Sequence, residues 1–129
     1  MEQIAAMAAL DTPQEYFDEV MSEYLERREV VFESLSKIPG VFAIKPSGAF
    51  YATVKLPVDD ADRFCIWMLS EFDDNKESVM MAPASGFYAT PGLGKDEVRI
   101  AFVLNSKDMA RSMEILAKAL QVYPGRTSG

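Results

Sequence analysis

A small, mostly antiparallel sheet with helices packed mainly on one of its faces, an α+β sandwich, is the fold this sequence predicts. Three observations lead to it. Segments with apolar residues at helical spacing alternate with short runs rich in β-branched and aromatic residues. Their order is helix, helix, strand, strand, helix, strand, strand, helix. The first two strands are separated only by Lys45-Pro46-Ser47-Gly48, a turn composition that closes an antiparallel hairpin.

Residues 2–10 have good helix propensity but form a run too short to be stable alone, with a face of Ile4, Met7 and Leu10. We expect residues 1–11 to be the remnant of an inter-domain helix. Asp11-Thr12-Pro13-Gln14-Glu15 is a helix start: Thr12 can cap, Pro13 suits the first turn, and Glu15 completes a capping box. The helix reaches about Lys37. Phe17, Met21, Tyr24, Val31, Leu35 and Ile38 mark its inner face, and Glu19, Glu23, Arg27, Glu29 and Glu33 its solvated one. Pro39-Gly40 stops it.

Strands are expected over 41–44 and 49–56, on either side of the turn. Asp59 is placed to cap a second helix up to about Phe72, with Ala61, Phe64, Met68 and Phe72 inward and Cys65, Trp67 and Leu69 widening the buried stripe. After a polar connection, a third strand covers 79–82 and a fourth 98–104. Asn105 caps the last helix, whose stripe is Met109, Met113, Leu116 and Leu120. Tyr123-Pro124-Gly125 ends it. Residues 12–125 thus read as one domain, and 126–129 as a loose tail.

Composition narrows the function. The chain has 129 residues, almost half apolar, which is enough for a core of its own. A net charge of −7 without a basic stripe argues against nucleic acid or an anionic membrane as partner. No apolar run approaches a bilayer span, and Glu2 stands where a signal peptide begins with a basic residue. The lone Cys65 excludes an intrachain disulfide and suits a cytoplasmic location. The absence of histidine removes the commonest general base and metal ligand, so no metal site is expected.

One residue stands out chemically. Arg99 is the only charge in the apolar run 98–104, and a guanidinium there needs an anionic partner or water. Its planar fork suits a carboxylate. The alternatives are an internal ion pair to an Asp or Glu, or a place on an edge strand facing solvent. Other signals carry less. Gly92-Leu93-Gly94-Lys95 lacks the spacing of a phosphate loop. Asp59, Asp60 and Asp62 are explained by a helix start. Ser34-Leu35-Ser36-Lys37 has the S-x-S-K pattern of some cofactor lysines, yet it falls at the end of an amphipathic helix with no pocket around it.

Two stretches together carry a resemblance. Pro46-Ser47-Gly48-Ala49-Phe50-Tyr51 resembles the P-x-G-A-F-Y hairpin of class I and II aminotransferases, the fold type I pyridoxal phosphate enzymes. Val98-Arg99-Ile100-Ala101-Phe102 resembles their R-I-x-F strand near the C-terminus. The helix containing Tyr24-Leu25-Glu26-Arg27-Arg28 and the final helix match in order and separation, and the aspartate aminotransferase-like subgroup is the most similar. Two departures lie between the motifs. Ala84 and Tyr88 stand where the family often has glycines, and the loop before Arg99 is a few residues longer.

The resemblance implies the C-terminal small domain of such an enzyme, separate from its large domain. It implies that Arg99 binds the substrate α-carboxylate and that Phe50 and Tyr51 shape the hairpin. It also implies pyridoxal 5'-phosphate in the full-length enzyme, held by a lysine that lies upstream in the family. None of the lysines here sits in a matching motif, so no catalytic or cofactor-binding residue is expected in this chain, nor activity from it alone. The substrates would be an amino acid, possibly aspartate, and a 2-oxo acid, and the full-length enzyme a homodimer. Another fold type I reaction, C–S lysis or decarboxylation, or an aminotransferase-like effector domain of a regulator would fit the same two motifs.

Overall fold

The computed structural model describes residues 2–127, and the expected α+β architecture is the observed one. Its elements are α1 (Glu2–Ala9), α2 (Gln14–Leu35), β1 (Phe42–Ala43), β2 (Tyr51–Lys55), α3 (Ala61–Ser70), β3 (Ala82–Pro83), a 3-10 turn (Ser85–Phe87), β4 (Glu97–Ala101) and α4 (Ser106–Val122). The sheet order is β1-β2-β4-β3 and every neighbouring pair is antiparallel.

The two long central strands alternate strictly, as a half-buried pleat requires. Ala52 and Val54 of β2 lie opposite Ile100 and Val98 of β4, and all four are buried. They join Val31 and Leu35 of α2, Phe64 and Met68 of α3, and Met109, Met113, Leu116 and Leu120 of α4 in one continuous core. The other side of the same strands presents Tyr51, Thr53, Lys55, Glu97, Arg99 and Ala101. One face of the sheet is therefore core, and the opposite face carries the polar side chains.

Asn105 caps α4 as expected, its side chain accepting from the Asp108 N–H at 3.0 Å. The start of α3 is displaced by one residue. Asp60 is its cap, accepting from the Arg63 N–H at 3.0 Å. Asp59 is committed elsewhere: it accepts from the Tyr123 hydroxyl at 3.0 Å and the Arg63 guanidinium at 2.9 Å. Burial and that bond push the Tyr123 hydroxyl up to about 12. Leu69 is exposed, so the buried stripe of α3 is narrower than its composition suggested.

Thr12 does not cap α2. Its hydroxyl donates to the Ala9 carbonyl at 2.8 Å and closes the end of α1, leaving Pro13 as a cap without a side-chain bond. The hydroxyl proton serves the upstream carbonyl, and among the described residues no N–H of α2 donates to its oxygen. The third strand is also shorter than expected, confined to Ala82–Pro83. The Ser78 hydroxyl bonds to the Met68 carbonyl and ties the start of this segment to the end of α3, away from the sheet edge. The tail is not loose at its start: Arg126 pairs with Val58, and the Thr127 N–H donates to the Pro57 carbonyl at 3.0 Å. The remainder of the expected tail, 128–129, lies outside the described residues.

The largest departure is at the N-terminal end. Only Val31 and Leu35 of α2 are buried, while Phe17 is 47% and Met21 61% exposed. No residue of α1 is buried. The apolar stripe of α2 runs on beyond the core, and Ile4, Met7 and Leu10 ahead of it in the chain are exposed too. With no buried face to hold it, an eight-residue helix is marginal in water. Amides of α1 should therefore exchange with deuterium within seconds to minutes in dilute solution. Those of α4 should be protected to the level of global unfolding. Equal protection of α1 and α4 would show that α1 is anchored to this core.

Candidate functional site

The open face of the sheet gathers the chemistry. β4 is an internal strand, with Arg99 opposite Thr53 of β2 on one flank and Ala82 of β3 on the other. This removes the edge-strand explanation of the arginine. Arg27, Arg28, Arg63 and Arg111 each reach a carboxylate. Among the described residues Arg99 reaches none, which removes the internal ion pair as well. Its guanidinium lies instead against two rings, with Cζ 3.9 Å from the Tyr51 centroid and 4.3 Å from that of Phe87. Such contacts stabilise a cation and shed part of its hydration while leaving its in-plane donors available.

Tyr51 arrives there through the hairpin. Arg28 of α2 donates to the Pro46 carbonyl at 2.9 Å, and Lys45 pairs with Glu29. Ala49 turns the chain with a positive φ of 63°. The Phe102 N–H then donates to the Phe50 carbonyl at 2.7 Å, extending the ladder between β2 and β4. Phe50 packs edge-on against Tyr51, with centroids 5.7 Å apart. Tyr51 thus contacts both Phe50 and Arg99.

Phe87 and Tyr88 come from the loop joining β3 to β4, whose base is closed by backbone bonds. The Ala84 N–H donates to Glu97 at 2.8 Å, and the Ala61 N–H to the Lys95 carbonyl at 2.7 Å. The Tyr88 hydroxyl donates to the Glu97 carboxylate, and that bond, ahead of burial, raises its pKa. Gly94 makes the arrangement possible. Its φ is +69°, and a Cβ there would lie 2.5 Å from the Tyr88 ring. Next to it, Lys55 pairs with Asp96 at 3.0 Å.

Sequence reasoning placed Arg99 and the hairpin but not Phe87 and Tyr88 at the site. Their signal was the same loop that departed from the family pattern. Among the described residues no cluster of His, Cys, Asp and Glu is arranged for a metal ion. Cys65 is buried, and burial pushes its thiol up to about 11, which keeps it protonated and inert. The lysines are all exposed, and Lys37, Lys45, Lys55 and Lys118 are held by carboxylates. No described helix is long and apolar enough to cross a membrane.

No protein-family model matches the chain. Curated relatives are found over most of its length. It is 31% identical over 121 residues to a probable aspartate/prephenate aminotransferase of Aquifex aeolicus, and 28% identical over 123 residues to an aspartate aminotransferase of Pyrococcus horikoshii. Each alignment covers 92% of this chain and 29% of the relative. Among solved structures, an alanine aminotransferase from Pyrococcus furiosus superposes with a TM-score of 0.73 at 29% identity, covering 90% of this chain and 28% of the other. An aromatic aminotransferase from Pyrococcus horikoshii gives 0.73 at 27% identity, covering 92% and 31%. The chain spans less than a third of the length of these relatives, and it matches one part of them in both sequence and fold.

Proposed function

From this kinship with fold type I aminotransferases of the aspartate aminotransferase type, we propose that the chain serves as the C-terminal small domain of a pyridoxal phosphate-dependent enzyme. The enzyme transfers an amino group between an amino acid and a 2-oxo acid in the cytoplasm. Arg99 holds the substrate α-carboxylate. The observation that carries this reading is a guanidinium on the open face of the sheet, flanked by Tyr51 and Phe87 and without an ion-pair partner among the described residues. A carboxylate lying in the guanidinium plane would take two parallel hydrogen bonds, and the rings would limit the competing water.

The division of labour follows from the family resemblance. The cofactor, once bound, supplies the electron sink for breaking the bond at the substrate Cα. This domain supplies the other half of the geometry: Arg99 fixes one end of the substrate, which sets the direction in which the Cα–H bond points. The lysine and the phosphate-binding groups belong to the large domain, in a full-length enzyme that we take to be a homodimer. Closure of this domain when a carboxylate reaches Arg99 would assemble the complete site.

A direct test uses the 129-residue chain with pyridoxal phosphate. The visible spectrum should remain that of free cofactor, because every lysine here is solvated. A stoichiometric aldimine band abolished by mutating a single lysine would overturn the assignment of the cofactor lysine to another domain.

A further inference from the structure

We propose that Tyr88 is a positioning residue that keeps Arg99 free for its ligand by holding Glu97 away from it. The proposal rests on Arg99 being the carboxylate-binding residue. Glu97 and Arg99 lie on the same face of β4, two residues apart. At about 3.3 Å per residue their Cα atoms are about 7 Å apart, close enough for a glutamate and an arginine to meet. An ion pair along the strand is the arrangement that charge alone would favour. It would occupy the very donors a substrate needs.

The face is built so that this pair does not form. The Tyr88 hydroxyl takes the Glu97 carboxylate. Lys55 stands directly opposite Glu97 across the ladder, yet its amine goes to Asp96 at 3.0 Å. Both acids that precede Arg99 in the chain are therefore engaged by other partners. Tyr88 is held in place for this task. Its ring occupies the space over Gly94 that any larger residue would fill, and the base of its loop is bonded to β4 through Ala84 and Glu97. On the arginine's side, Tyr51 and Phe87 hold the guanidinium against their rings. The acid and the base are each restrained by an aromatic residue, and an inhibitory contact between neighbours is avoided without removing either charge.

Two measurements test this. In the 129-residue chain, the Arg99 Nε–H resonance should move on Tyr88→Phe and return when Glu97→Gln is added. In the aminotransferase containing the domain, Tyr88→Phe should raise KM for the amino acid about two- to sixfold with kcat retained. That is the range expected when an exposed ion pair competes for one guanidinium. Adding Glu97→Gln should restore the original KM. A merely structural role for Tyr88 predicts no rescue, since Glu97→Gln cannot repair a damaged loop. If Arg99→Ala costs activity while Tyr88→Phe leaves KM unchanged, or if Glu97→Gln does not restore it, the assignment of Tyr88 alone is overturned. If Arg99→Ala leaves kcat/KM intact, the carboxylate-binding reading falls and this proposal with it.

Discussion

Replacing Arg99 by alanine should lower kcat/KM of the proposed full-length aminotransferase by roughly 30- to several-thousand-fold. Truncating one partner of a hydrogen-bonded charge pair costs about 2–5 kcal/mol, and each ~1.4 kcal/mol is tenfold in rate. Arg99→Lys should recover only part of the loss, because an ammonium keeps the charge but cannot present two parallel donors. Stability should fall by no more than the loss of two ring contacts, since Arg99 has no ion pair among the described residues to lose. At its half-buried position each contact is worth about 0.5–2 kcal/mol. Melting and kinetics measured on the same samples separate the two effects. An Arg99→Ala enzyme with unchanged kcat/KM toward its amino acid would end the carboxylate assignment. An equal loss toward an amine lacking the α-carboxylate would end it too, because the clamp has nothing to hold there.

Phe64→Ala should destabilise the chain by about 3–5 kcal/mol, the cost of deleting a fully buried aromatic side chain. Phe64 lies 4.9 Å from Tyr123 and 6.1 Å from Trp67, centroid to centroid, so its loss opens a cavity at the junction of α3 with the end of α4. Domains of this size hold only about 5–15 kcal/mol in total, so the variant should be near its unfolding midpoint at moderate temperature. Phe17→Ala is the contrast. Phe17 belongs to an equally regular apolar stripe, but it is half exposed and should cost less than about 1 kcal/mol. Thermal melts of the two variants decide the matter. Comparable losses would mean that the upper half of α2 is packed in a way the present core excludes.

That contrast shows where the sequence was sufficient and where it was not. The stripe of α4 read correctly because its periodic residues and its covering surface both belong to this chain: Met109, Met113, Leu116 and Leu120 are all buried. The stripe of α2 has the same regularity, but periodicity marks a face and not what covers it. Here Phe17 and Met21, in the N-terminal half of the face, stay exposed among the described residues. The starts of α2 and α3 failed for a different reason. Thr12 and Asp59 each had one good local role by sequence, and the fold gave the side chain other partners: the Ala9 carbonyl in one case, Tyr123 and Arg63 in the other.

At the candidate site, Arg99 was legible because a lone charge in an apolar run is conspicuous. Its surroundings were not. The sequence left open an internal ion pair or an edge strand, and only the sheet order puts β4 inside and Tyr51 diagonal to Arg99. Phe87 and Tyr88 sat in a loop without periodicity, where no local rule states which way a ring will turn. Gly94 was visible as a glycine but not as the seat of a tyrosine, since that depends on a positive φ and on a contact six residues away.

The alternation of β4 has a consequence for quality control. Val98 and Ile100 face the core while Glu97, Arg99 and Ala101 face outward, and the strand is paired on both flanks. A slip of one residue would exchange the two sets, pressing the guanidinium into the core and turning two aliphatic side chains outward. No intermediate register is half right. A molecule that has displaced Arg99 from the open face in this way has also lost its core, and becomes a target for chaperones and proteases. The place of the guanidinium on the open face is therefore policed by the stability of the fold.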